Sequence, residues 1–390
     1  MVFNLEALNA EEGDCLLVQY GTKQKPLFVL LDGGPPRVYE RSLQPRLAAL
    51  RKTLHLEPQQ SLPLRLVILS HVDADHIVGV LKLMRELEQE KDGKQPQYVS
   101  VRTLWGNFFD DLLGTQELKA VAESLQAQPI PSREVQGFIA STEQGRQLRD
   151  VVNKLGIKLN VPFERFVMRP DSQAPVEDLG NGMRLTLLSP AAQELKNLQE
   201  RWDKDLKQAQ KAGAGKVAAI ASDSSVFNLS SIVVLLELEG KSMLLTGDAH
   251  CKEILAGLEA AGRMPANGGP FSVNLLKLPH HGSCRNVTPE FFKRVVAEHY
   301  VISANGTDGN PDLETLDMLV EARGNAHYTL HCTFPEAAYK DVVGDTKDEK
   351  ERRKVLENIH RWFEHRRGKQ PTVEFRSRDQ LGVTVKLGSE

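Results

Sequence analysis

No stretch of the chain approaches the ~18 consecutive apolar residues of a membrane-spanning helix, so no transmembrane segment is expected. The N-terminus, MVFNLEALNAEEGDCL, lacks a charged region followed by an apolar one, and no secretory leader is expected either. Cysteine is scarce. The four residues Cys15, Cys251, Cys284 and Cys332 lie far apart, with no C-x-x-C pair, and read as reduced thiols in a cytoplasmic protein. Basic charge is not in excess either. A net charge of −3 gives no global field to draw in nucleic acid, which leaves only a local basic groove open. The GAGK segment lacks the G-x-x-x-x-G-K-[ST] spacing of a phosphate-binding loop. What is present is ordinary: 41% apolar and 26% charged residues fit a soluble globular chain. A chain of 390 residues can bury a large core, and α/β folds of this size often run as one domain, here 1–390.

One segment is not ordinary. LSHVDADHIVGV, residues 69–80, places His71, Asp73, Asp75 and His76 within six positions. The preceding LRLVIL (64–69) is a short apolar run without helical period and reads as a buried strand. IVGVLKLMREL (77–87) reads as the start of a helix. The four polar residues therefore sit where a strand turns into a helix, the place where open α/β sheets put their ligand sites. Alternation along extended backbone sends His71, Asp73 and Asp75 to one side, and His76 can turn back as the helix begins. Imidazole and carboxylate are both ligands for Zn or Mn. An aspartate here also makes a good helix cap. One cap does not account for four ligand-type residues.

The segment resembles the H-x-D-x-D-H motif of the metallo-β-lactamase fold. It looks most like the branch containing the ComEC-type competence nuclease domain, where Asp73 stands in place of the superfamily's middle histidine. The resemblance implies an α/β architecture, the αββα four-layer sandwich. It extends to the Gly13-Asp14 pair and to the Asp32-Gly33-Gly34 turn that ends the strand at 26–34. By resemblance Asp32 does not bind metal but orders the metal loop through hydrogen bonds. NLSSIVVLLEL (228–238) and KSMLLTGDAH (241–250) read as a hairpin around Glu239-Gly240, similar to the family's N-x-S…LLTGD pattern. The resemblance makes Asp248 the carboxylate that bridges two ions, one oxygen to each. VNLLKLPHHGSCRN (273–286) is similar to L-K-x-x-H-H-G-S. One of its two histidines would complete the first site with His71, Asp73 and Asp248. Spacing favours His280, which leaves His281 as a proton donor or phosphate contact.

The pattern departs at VISANGTDGNPDLETLDML (301–319). The family has a His-Pro pair at the head of this helix, and that histidine completes the second site with Asp75, His76 and Asp248. Here Asn310 precedes Pro311. Asn310 reads as a good N-cap and as a weak, neutral metal ligand, with Asp308 as a substitute. The second ion is therefore expected to be weakly held. Residues 82–180 contain no histidine and read as a helical insertion; Asn107 and Asp110 within it read as a strand end and a helix cap. Residues 335–390 read as a C-terminal extension. Its strands, with that at 326–334, are expected to close the second sheet. Its amphipathic helix, 345–370, should bury Val355, Ile359, Trp362 and Phe363 and expose its arginines to solvent.

Together these features imply a soluble hydrolase dependent on two divalent ions, Zn or Mn, with Asp75, His281 and Asp32 as the candidate catalytic residues. The branch resemblance implies a phosphodiester substrate, notably nucleic acid. The harder oxygen ligand of Asp73 favours Mn. Two other functions are open. Asn310 could mark a chain that keeps the fold without turnover, as a binding or regulatory component with a protein partner. The scissile bond could instead be a lactone or thioester.

Overall fold

The structure, a computed structural model, describes residues 1–108, 133–197, 199–200 and 230–388. The first sheet begins with β1 (Val2–Leu8), β2 (Leu16–Gly21) and β3 (Pro26–Leu31), joined antiparallel, and β4 (Leu62–Ile68), which runs parallel to β3. β5 (Val99–Val101), β6 (Thr103–Trp105) and β7 (Lys158–Leu159) extend it. The second sheet runs from β8 (Val176–Gly180) and β9 (Met183–Ser189) through the hairpin β10 (Val233–Leu238) and β11 (Lys241–Leu245). It continues with the parallel strands β12 (Phe271–Lys277), β13 (Val295–Ile302), β14 (Thr329–Cys332) and β15 (Thr372–Phe375). Alternation along β1 turns Phe3, Leu5 and Ala7 toward the second sheet, where they meet Leu185, Leu236 and Met243 in a dry central layer.

Helices cover both outer faces. α1 (Gln44–Thr53), α2 (Ala74–Asp92) and α3 (Arg133–Leu155) pack on the first sheet through Leu47, Leu81, Met84 and Val152. On the second sheet lie α4 (Cys251–Ala260), α5 (Pro289–Arg294), α6 (Leu313–Arg323) and α7 (Lys347–Glu364). They contribute Ile254, Phe291, Leu316 and Ile359 to that outer core. The architecture is the expected four-layer αββα sandwich. Among the described residues no helix is long and apolar enough to cross a membrane, and all four cysteines are free.

Several local expectations change. The last strand, β16 (Gly382–Lys386), does not close the second sheet. It pairs antiparallel with β1, from Asn4 against Lys386 to Leu8 against Gly382, so the chain end crosses to the first sheet and buries Val383 and Val385 in the central layer. The interval 82–180 is not purely helical, because β5 to β8 fall within it. In α7, Leu356 joins Ile359, Trp362 and Phe363 as the buried face, with Val355 only partly covered. A capping box between Thr346 and Glu349 starts this helix. Asn310 does not cap α6; Asp312 holds the N-cap position. Asn310 instead closes the preceding turn, donating its N–H to the Thr307 carbonyl and accepting from Gly306. The segment 117–126, Asp110 and the small-residue stretch 212–225 lie outside the described residues.

Candidate metal centre

The candidate residues converge where the C-terminal ends of β4, β11 and β12 meet. β4 ends at Ile68, and Asp73 takes the N-cap position of α2 with extended backbone. Its side chain makes no capping bond and lies 3.5 Å from His71 Nε2. The β11 strand delivers Asp248 through Thr246-Gly247. The backbone N–H of His280 donates to the Gly247 carbonyl at 3.1 Å, which ties this turn to the one after β12. His280 and His281 both adopt left-handed backbone, with φ of 47° and 56°. Such conformations cost ~1–3 kcal/mol each in non-glycine residues and tend to gather at functional sites.

Asp248 Oδ2 is the centre of the cluster. It lies 3.8 Å from His71 Nε2, 3.5 Å from His76 Nε2, 3.6 Å from His280 Nε2 and 3.5 Å from His281 Nε2. Asp75 Oδ2 lies 3.5 Å from both His76 Nε2 and His281 Nε2. Asp248 therefore has His71 with Asp73 on one side and Asp75 with His76 and His281 on the other, and His280 also reaches it. Ligand atoms around a tetrahedral ion at ~2.0–2.2 Å stand roughly 3.3–3.6 Å apart, which is the spacing found on the second side.

Each imidazole is held by its other nitrogen. His71 Nδ1 is 3.0 Å from Ser70 Oγ, and His76 Nδ1 is 2.9 Å from Asp32 Oδ2. His280 Nδ1 donates to Asn286 Oδ1 at 2.8 Å, and His281 Nδ1 to the Ser303 carbonyl at 3.0 Å. The Nε2 atoms of His71, His76 and His281 are buried without a hydrogen-bond partner. Orientation by Nδ1 with Nε2 left open is how proteins hold metal-binding imidazoles. The donor set therefore fits divalent metal binding around Asp248.

Asp32 sits beneath this cluster. It accepts from the backbone N–H and the hydroxyl of Ser70, both at 2.7 Å, as well as facing His76. Two glycines make the close packing feasible. A Cβ on Gly13 would meet the Asp75 carbonyl oxygen at 1.8 Å, and one on Gly79 would meet the Gly33 carbonyl oxygen at 1.9 Å. The G-D and D-G-G pairs of the sequence thus lie under the metal loop.

Charge follows the same division. Burial pushes the carboxyls of Asp75 and Asp248 up, but the imidazoles facing them outweigh it and hold both well below the usual carboxylate range. Burial pushes His76 and His281 down, but Asp75 and Asp248 around His76, and Asp248 and Asp14 around His281, raise both well above the ordinary imidazole value. Asp73 is raised by burial and His280 lowered by burial. The site therefore strongly favours positive charge around Asp75, His76 and His281.

Three features depart from expectation. Asp75, His76, Asp248 and His281 each offer a ligand-type atom within 4.8 Å of the others', which brings His281 into the cluster. Asp248 turns one oxygen, Oδ2, to the imidazoles, while Oδ1 faces Lys277 Nζ at 3.9 Å. Asn107, just past the end of β6 as expected of a strand-end residue, clamps the backbone of Val167 with bonds of 3.0 and 2.9 Å. Asn310 and Asp308 instead line an open cleft of about 630 Å³ above the cluster, with Glu12, Asp73, Asp75, Asp248 and His280.

Sequence reasoning missed a second set of residues. Lys277, fully buried, forms an ion pair with buried Asp14 and donates to the Gly247 carbonyl at 3.2 Å. Asn286 donates to the Asp248 carbonyl at 2.8 Å while it holds His280. Their signal was available: a lysine inside the apolar run NLLKL, and an asparagine closing the HHGSCRN segment.

No family model matches the chain. Microtubule-associated protein 1A from Rattus norvegicus is 31% identical over 132 residues, covering 33% of this chain and 5% of that protein. The Homo sapiens protein is 30% identical over 132 residues, again 33% of this chain and 5% of the relative. The chain thus spans a small fraction of the length of these curated relatives. Among solved structures, Zn(2+)-bound PqqB from Methylobacterium extorquens aligns over 96% of this chain and 87% of its own, at 11% identity and a TM-score of 0.40. The metallo-β-lactamase fold protein YhfI from Bacillus subtilis aligns over 99% and 100%, at 12% identity and a TM-score of 0.38. Likeness at these scores adds no weight to the fold, which rests on the layers described above.

Proposed function

We propose that the chain is a metal-dependent hydrolase of phosphodiesters. One observation carries this reading: the buried Nε2 atoms of His71, His76 and His281 stand open around Asp248, each ring fixed from behind. His71, Asp73, His280 and Asp248 would hold one divalent ion; Asp75, His76, His281 and Asp248 would hold the other. Bound there, the ions would supply Lewis-acid polarisation of the substrate and a water activated near neutral pH. The chain's own residues do the rest. Asp32 and Ser70 fix the His76 ring, Asn286 fixes His280, and Lys277 keeps Asp248 Oδ1 turned away from the imidazoles.

Each ion would be held by two imidazoles and two carboxylates, a set that suits Zn or Mn, and the carboxylate of Asp73 in place of an imidazole leans it toward harder ions and oxygen-rich substrates such as a phosphodiester. The H-x-D-x-D-H resemblance points the same way. The alternative of a fold without turnover loses its motive in this reading, since His281 supplies the nitrogen that Asn310 was thought to leave missing. The test is hydrolysis of bis(p-nitrophenyl) phosphate by chelator-stripped protein resupplied with Mn, Zn or Mg. Turnover that depends on the added ion and disappears in Asp248→Ala supports the proposal. A folded, metal-loaded protein without turnover, or an Asp248→Ala variant with undiminished turnover, overturns it.

A further inference from the structure

The cleft above the cluster is acidic. Six carboxylate residues line it, Glu12, Asp73, Asp75, Asp248, Asp308 and Asp312. Asp73, Asp75 and Asp248 belong to the proposed ion sites, so their charge is spoken for. Glu12, Asp308 and Asp312 remain along the rim. Arg285 is the one lysine or arginine among the described residues lining this cleft. Its side chain is exposed and makes no ion pair or hydrogen bond among the described residues.

The backbone around Arg285 is nevertheless fixed. The N–H of Cys284 donates to Asp312 Oδ2 at 2.8 Å, and the Arg285 N–H points to Ser283 Oγ at 3.4 Å. Asn286, buried, is bonded to both His280 and the Asp248 carbonyl. A free guanidinium is therefore carried on a rigid turn one residue from a group that holds the cluster. The surroundings also limit what the cleft accepts. A long polyanion crossing this rim would pass carboxylates at Glu12, Asp308 and Asp312, with Arg285 the one cation among the described lining residues to offset them.

We propose that Arg285 anchors a second anionic group on the substrate, and that the substrate is a short phosphodiester bearing a terminal phosphate rather than a nucleic-acid strand. The inference rests on the phosphodiesterase reading above and deepens it. The planar fork of arginine suits bidentate contact with a phosphate monoester, and among the described residues no carboxylate pairs with it.

The test compares the dinucleotide TpT with its 5′-phosphorylated form pTpT on Mn-loaded protein. The parent should favour pTpT through a lower KM, by roughly tenfold or more, the scale of one charge-assisted pair. In Arg285→Gln that ratio should collapse, with KM for pTpT changing more than kcat. A ratio that survives in Arg285→Gln overturns the anchor. A twenty-nucleotide oligothymidylate preferred over pTpT, with steep salt dependence, overturns the short-substrate class. Should neither dinucleotide be cleaved, the phosphodiesterase reading fails, and the anchor is still read by calorimetry. Thymidine 3′,5′-bisphosphate should bind the parent more tightly than thymidine 3′-monophosphate and lose that advantage in Arg285→Gln; equal binding to the parent refutes it.

Discussion

Replacing Lys277 with methionine removes the positive end of a fully buried ion pair. Lys277 and Asp14 both have side chains that are 0% exposed, and Lys277 Nζ also serves the Gly247 carbonyl and stands 3.9 Å from Asp248 Oδ1. Methionine fills most of the volume but leaves Asp14 without its cation and the Gly247 carbonyl without that donor. Breaking one side of a buried pair costs ~3–5 kcal/mol. That is a large part of the ~5–15 kcal/mol that holds a typical domain together. The double variant Asp14→Asn/Lys277→Met removes both charges, so it should be more stable than Lys277→Met alone by roughly 2 kcal/mol. Urea unfolding at pH 7, with slopes compared across the cycle, measures both. Acid adds a second reading. Burial raises the Asp14 carboxyl, but Lys277 and His281 outweigh it and hold it down at about 2. A depressed folded value stabilises above the ordinary carboxylate range and is lost as pH falls through the folded value. The parent should therefore lose stability between pH ~4 and ~2, and Asp14→Asn should flatten that loss. A Lys277→Met protein within about 1 kcal/mol of the parent, or a double variant no better than the single, would refute the reasoning.

Asp32→Ala removes the acceptor for Ser70 and His76, and should lower metal affinity by about 10–100-fold, measured by competition with a chelating dye. Gly13→Ala drives a methyl group into the Asp75 carbonyl and should cost about 1–3 kcal/mol in urea unfolding; an unchanged midpoint would contradict the close packing. In chelator the raised His76 and His281 values stabilise below the ordinary imidazole range and lose that effect as pH rises through the folded values, so stability should fall above pH ~6.5. Added Mn or Zn should suppress that alkaline loss, and equal melting profiles with and without the ion would count against it. Asn310→His should leave metal content unchanged by mass spectrometry, because the geometry brings His281 to that side of Asp248.

The ligand segment was legible because its four residues are contiguous and follow a strand, so local geometry alone brings them together. The role of Asp32 came from the family resemblance alone, since an Asp-Gly-Gly turn by itself reads only as a turn. The adjacent histidines were not fully legible. Spacing favoured one ligand, with the other as a proton donor or phosphate contact, but with left-handed backbone at both His280 and His281 both Nε2 atoms face Asp248. Asn310 misled as a cap, because its place before a proline and a helix suggested one, whereas its backbone closes the turn at Thr307 and Asp312 takes the cap position. The Asp14–Lys277 pair joins distant parts of the chain: a lysine inside the apolar run NLLKL signals a buried cation, but nothing local names its partner. The same holds for β16, whose alternating valines suit either sheet until its partner strand is known.

Metal stoichiometry in saturated, desalted protein tests the central claim most directly. The account predicts two Mn or Zn ions per chain in the parent and one in His281→Ala, with the fold retained. A parent that saturates with one ion or none, or a His281→Ala protein that still holds two, would contradict it.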